Sequence, residues 1–181
     1  MKFISHFLNF FYIYIKFDFY KVLCYHIAME KIESFKIDHL NLFSGVYVSR
    51  IDEFNGATAT TFDLRFTAPN REQPMDFPAI HTLEHLGATY FRNSKIKDQV
   101  IYFGPMGCRT GFYLVLFGKW NSENIFEDII SMLKFVISFE GEIPGAKPEE
   151  CGNYSEQDLE KAKIYAKKYL DDLQTYKRLK Y

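Results

Sequence analysis

Residues 81–85 read His-Thr-Leu-Glu-His, and Ile80, Leu83, Leu86 and Tyr90 run through and past them at helical spacing. That spacing predicts a helix over residues 79–93 with one apolar face, which needs another layer to cover it. His81 and His85, four residues apart, lie on one face of such a helix and can hold a single metal ion. Glu84 falls within the same arc of roughly 100° at 3.6 residues per turn. A carboxylate there sits close to the ion without ligating it, and can move protons on a bound water or substrate oxygen. The competing structural account is two histidines on a solvated face beside a salt-bridging glutamate. The other candidate ligands in the chain decide between them.

A two-histidine site needs a third ligand, and catalytic sites of this kind hold three protein ligands and keep one position open. Cys151, in Glu150-Cys151-Gly152-Asn153-Tyr154, follows Pro144 and Pro148 in a loop that can carry a thiolate to a distant ion. A buried apolar role is the alternative for a lone cysteine. Cys108 lies in Gly104-Pro105-Met106-Gly107-Cys108-Arg109-Thr110-Gly111, a turn between apolar runs. Its glycines permit a sharp backbone turn that leaves the thiol accessible, and Arg109 would favour a thiolate if its side chain came near. A core cysteine at a tight turn is the bland alternative.

The rest of the chain supplies the second layer. Residues 45–51 alternate, and residues 57–67 are rich in Thr and aromatics, so both read as strands. Pro69, Pro74 and Pro78 mark a loop, and residues 99–103 and 112–117 suit buried strands across the glycine-rich turn. Residues 121–139 form an amphipathic helix capped by Asn121 or Ser122. Ser155 is expected to open a last helix, with Glu156 and Asp158 in its first turn and Lys and Arg near its end. Helices and strands mix without strict alternation, which predicts an α+β domain: an antiparallel sheet with helices packed on it.

Composition excludes several classes. The 181 residues suit one compact domain, and 22 basic against 23 acidic residues leave no electrostatic footprint for nucleic acid. The three cysteines are odd in number and widely spaced, which argues against a disulfide scaffold and for a reducing compartment. Residues 1–28 differ from the rest, with six Phe, four Tyr and four Ile around scattered charges. Their longest apolar run, residues 10–15, is far short of the roughly 20 residues that span a bilayer. The segment reads as a translated upstream extension with the native start at Met29, a membrane-surface anchor being the rival. Cys24 takes no role.

Together, Ser34-Phe35-Lys36-Ile37-Asp38-His39, Asp63-Leu64-Arg65-Phe66, residues 81–86, 104–113 and 150–154 resemble the S-ribosylhomocysteinase (LuxS) family, in its order and approximate spacing over residues 29–181. Inverted-motif zinc peptidases share His-x-x-Glu-His, but they are generally much longer and have no reason to carry the Gly-flanked Cys108. The resemblance implies the family's α+β metallohydrolase-like fold and a cytoplasmic homodimer with two interfacial active sites and no membrane association. Each site would hold Fe(II), replaceable by zinc or cobalt, on His81, His85 and Cys151. Cys108 matches the catalytic cysteine and Glu84 the catalytic carboxylate, while Ser34, His39 and Arg65 match positions near the substrate, S-ribosylhomocysteine. The implied reaction moves a carbonyl along the sugar chain and then eliminates homocysteine, leaving dihydroxypentanedione, the autoinducer-2 precursor. Tyr102 departs from the acidic residue common at its position in the family, which would alter hydrogen bonding around Cys108.

Overall fold

The computed structural model describes residues 30–181; the expected extension over residues 1–28, the start at Met29 and Cys24 lie outside them. The chain divides into two units after Lys36. In the first, residues 30–36 hold one short helix, α1 (Glu33–Lys36), with Lys36 Nζ 2.6 Å from Glu33 on its exposed side.

The second unit is the α+β arrangement expected. Strands β1 (Gly45–Phe54), β2 (Ala57–Arg65), β3 (Val100–Pro105) and β4 (Gly111–Phe117) form an antiparallel sheet in the order β1-β2-β4-β3. Helices α2 (Phe77–Asn93), α3 (Ser122–Ser138) and α4 (Leu159–Tyr176) cover one face. Alternation decides which residues go where. Phe62, Leu64, Phe112, Leu114 and Leu116 point inward and are buried among Leu83, Leu86, Ile125, Ile129, Leu133 and Tyr169. Each such side chain contributes about 1.5–3 kcal/mol by leaving water. The intervening residues Asp63, Arg65, Tyr113, Val115 and Phe117 point to the opposite face.

Five local details differ from the sequence expectation or add to it. Strand β1 runs on to Phe54 because Asn55 and Gly56, both with positive φ (49° and 80°), make the two-residue turn that matches strand twist. Pro78 lies in the first turn of α2 rather than in the preceding loop, a position where its missing N–H costs nothing. Helix α4 begins at Leu159, not Ser155, and Asp158 caps it by accepting from the Lys161 N–H at 2.9 Å. Lys177 and Arg178 follow directly on its end: Lys177 is left-handed (φ 44°) and donates its N–H to the Leu173 carbonyl. The cap of α3 is Asn121, whose side chain accepts from the Asn124 N–H at 2.8 Å.

Gly87 shows how α2 is seated. Glycine inside a helix is unfavourable by about 1 kcal/mol against alanine. A Cβ here would lie 2.3 Å from the Phe103 ring, so its absence lets the helix sit directly on β3. That contact sets the depth of the helix that carries both histidines.

Candidate active site

His81 and His85 leave the same side of α2 with their Nε2 atoms 3.0 Å apart, and the Cys151 sulfur lies 3.3 Å from His81 Nε2. Among the described residues these three form the one cluster able to hold a metal ion, their ligand atoms all within 4.8 Å of one another. Each ring is oriented by its other nitrogen. His81 Nδ1 lies 2.9 Å from the Glu156 carbonyl, and His85 Nδ1 lies 2.7 Å from the Pro144 carbonyl. A carbonyl only accepts, so Nδ1 carries the proton in both rings and each Nε2 presents a lone pair to the shared point. Two lone pairs and a sulfur converging on one spot repel each other unless a cation joins them. The donor set of two imidazoles and one thiolate suits zinc, ferrous iron or cobalt. Three ligands leave a position open, and His39 is not part of the cluster, so a closed four-ligand structural site has no fourth protein donor among the described residues.

The start of Ser155 to Asp158 is thus committed to the site rather than to helix. The Glu156 carbonyl faces His81, and the Gln157 amide lies 3.2 Å from the same ring nitrogen. Ser155 closes a turn and residues 156–158 carry no regular structure before α4 begins at Leu159.

The second compartment is built on the strand ends. Arg65 and Asp63, two apart on β2, are both almost fully buried and joined at 2.5 Å. Arg65 Nη1 also donates to Thr110 Oγ1 at 2.5 Å and lies 3.9 Å from the Cys108 sulfur, and Thr110 Oγ1 is 3.1 Å from that sulfur. A guanidinium beside the sulfur stabilises negative charge there. The neighbouring cation is Arg65, not Arg109: the Arg109 side chain turns away, its guanidinium 4.4 Å above the Phe77 ring and donating to the Met75 carbonyl. Burial pushes the Asp63 carboxyl up, against Arg65, Tyr181 and His39, which pull it down. Burial works against the Arg65 charge as well, but Asp63 more than compensates and the guanidinium is held above its ordinary value. Tyr181 donates to Asp63 at 3.1 Å and stacks on Tyr47, and burial and the Asp63 charge both push its phenol up, so it stays a donor at neutral pH. Asp63 Oδ1 and Arg65 Nε are buried without a hydrogen-bond partner among the described residues.

The two compartments share one helix end. The Met75 N–H donates to the Arg109 carbonyl at 2.9 Å, fastening the Cys108 turn to the chain entering α2, one turn before His81.

A family profile described as S-Ribosylhomocysteinase (LuxS) matches residues 32–179. The chain belongs to that family. It is 54% identical over 150 residues to an S-ribosylhomocysteine lyase of Finegoldia magna, covering 83% of this chain and 96% of that one. An S-ribosylhomocysteine lyase of Clostridium beijerinckii is 51% identical over 146 residues, covering 80% and 92%. One of Borreliella afzelii is 47% identical over 156 residues, covering 84% and 99%.

Set against the family expectation, the structure brings His81, His85 and Cys151 together, and separately Arg65 and Cys108, while His39 bears on that second group only through its charge effect on Asp63. Glu84 is half-buried on α2 and has no salt-bridge partner among the described residues. Ser34 lies in the first unit, within α1. Tyr102 takes no part in the bonds around Cys108; its ring lies over Gly104, its oxygen 2.0 Å from where a Cβ would stand. Asp63, Thr110 and Tyr181 were not singled out as site residues. Asp63 carried a signal, since residues two apart on a strand share a face; Tyr181 joins the site only through a contact that spans 118 residues.

Proposed function

We propose that this protein is an S-ribosylhomocysteine lyase that cleaves S-ribosylhomocysteine to homocysteine and dihydroxypentanedione. The observation that carries the reading is the pairing of an open two-histidine, one-cysteine cluster with an accessible thiol beside a buried arginine, both fastened to the start of α2. A ferrous ion on His81, His85 and Cys151, replaceable by zinc or cobalt, would supply Lewis acidity toward a substrate carbonyl oxygen.

The chain's own residues then handle protons. Cys108 as thiolate takes a proton from the carbon beside the carbonyl and returns it to the neighbouring carbon, which moves the carbonyl one position. A second round leaves the carbonyl two positions from the sulfur-bearing carbon, next to the one carbon that separates them. Removal of a proton from that carbon, assisted by Glu84, pushes electrons toward the C–S bond and expels the thiol of homocysteine. Arg65 holds charge beside Cys108; His39 and Ser34 are the further substrate contacts that the family resemblance implies. The second product is the precursor of autoinducer-2.

The functional unit in this reading is a homodimer with an active site at each side of its interface. The outer face of the sheet supports it: Tyr102 and Phe117 are about half exposed there beside Val115 and Tyr113, with no helix over them among the described residues. Such a face on an otherwise covered sheet marks an interaction surface. Free Cys108 and Cys151 fit a reducing, cytoplasmic setting, and no helix among the described residues is long and apolar enough to cross a membrane.

Cys108→Ala tests the assignment. The variant should lose thiol release from S-ribosylhomocysteine and keep the wild-type metal content. Full turnover by that variant would remove Cys108 from the mechanism, and hydrolysis of peptides instead would point to a metallopeptidase.

A further inference from the structure

The hydroxyl of Thr82, inside the His-Thr-Leu-Glu-His segment, is fully buried and has more neighbours than one proton can serve. It lies 3.0 Å from the Pro78 carbonyl and 2.8 Å from the Gln157 side-chain amide, and it accepts from the Asp158 N–H at 2.9 Å. The other end of the Gln157 amide lies 3.2 Å from His81 Nδ1. Since the Glu156 carbonyl requires a proton on that nitrogen, it must meet an acceptor on the Gln157 side too. The two ends of a glutamine amide have the same shape, so the bonds around them decide which is which. One orientation satisfies every group. Gln157 Oε1 accepts from His81 Nδ1–H, Gln157 Nε2 donates to Thr82 Oγ1, and Thr82 gives its single proton to Pro78.

We infer that Thr82 and Gln157 are positioning residues of the metal centre. Through His81 they hold the ring in the tautomer that the Glu156 carbonyl requires, with its Nε2 facing the ion. Through the Gln157 amide and the Asp158 N–H they clasp the loop that carries Cys151 onto the helix that carries the two histidines. The third ligand comes from a segment about 70 residues away with no regular structure of its own, so this clasp fixes its distance from the other two. The inference rests on the metal reading of His81, His85 and Cys151, and its test separates the two.

Cobalt(II) binding to the full chain is measured by competition with a chelator, together with the near-ultraviolet absorption of a cobalt–thiolate bond. Thr82→Val and Gln157→Leu should each bind cobalt roughly 10- to 100-fold more weakly, the usual effect of losing a partner that orients a metal-bound histidine. Their thiolate band should weaken or shift at saturation, and Thr82→Ser, which restores the hydroxyl, should return both toward wild type. Circular dichroism checks folding; should Thr82→Val fail to fold, Gln157→Leu, a half-buried loop residue, decides alone. Wild-type affinity and an unchanged thiolate band in Gln157→Leu would overturn the clasp and leave the metal centre standing. No cobalt binding by the wild type would overturn the metal centre and the clasp together.

Discussion

At the scale of single residues, Thr110 carries more than its size suggests. It is buried, it accepts from Arg65 at 2.5 Å, and its oxygen lies 3.1 Å from the Cys108 sulfur. Thr110→Val keeps the shape and removes both bonds, leaving one guanidinium donor buried without its acceptor. The expected loss of stability is about 1–3 kcal/mol, read as a lower urea midpoint, with turnover falling as well. Glu84→Gln removes a group that moves protons, so thiol release should drop about 10²–10⁴-fold while metal content is retained. Unchanged turnover in that variant would take Glu84 out of the mechanism. The convergence of His81 and His85 and the exposed turn at Cys108 were legible in the sequence because helix periodicity and flanking glycines are local signals. The identity of the cation beside Cys108 was not. Arg109 is adjacent in sequence, but a left-handed backbone (φ 59°) and the Phe77 ring turn it away, and Arg65 arrives from a different strand.

Among elements, α2 is the one whose placement matters most, and two contacts govern it. Gly87→Ala would favour an isolated helix, yet here the added methyl meets the Phe103 ring. The expected net effect is a loss of about 1–3 kcal/mol from overpacking, and a stabilised variant in thermal denaturation would contradict this seating. At the other end, Asp76 precedes α2 and binds across to α4, to Lys161 at 3.0 Å and to Tyr165 at 2.9 Å. The bond from Lys161, followed by that from Tyr165, holds the Asp76 carboxyl below its ordinary value. Its folded pKa is therefore lower than its unfolded one near 3.9. The contact adds stability above that pH and loses it as pH falls through the folded value. Asp76→Asn should flatten this acid limb in denaturation midpoints measured between about pH 5 and 3, by a small amount because the pair is solvent-exposed. The ends of α2 and α4 were the least legible parts of the fold. Pro78 reads as a loop residue until the helix is seen to start before it. Ser155 reads as a helix cap until Glu156 and Gln157 are seen bonding His81.

For the whole molecule, the sheet with helices on one face was legible from alternation and helical spacing, since both report which side of each element is buried. Whatever covers the other face was not, because a residue facing a second copy and one facing helices look alike in a strand. The dimer proposed on that face predicts that Phe117→Asp, placing a charge amid Tyr102, Val115 and Tyr113, shifts the sedimenting mass from two chains to one. A monomeric wild type would refute that assembly. The most direct test of the account as a whole is the reaction itself. The full chain, loaded anaerobically with ferrous ion or cobalt, is given S-ribosylhomocysteine, and homocysteine and dihydroxypentanedione are measured over time. The account predicts steady, equimolar release of both products, abolished by Cys108→Ala in protein that still holds its metal. A folded, metal-loaded protein that releases neither product would contradict it.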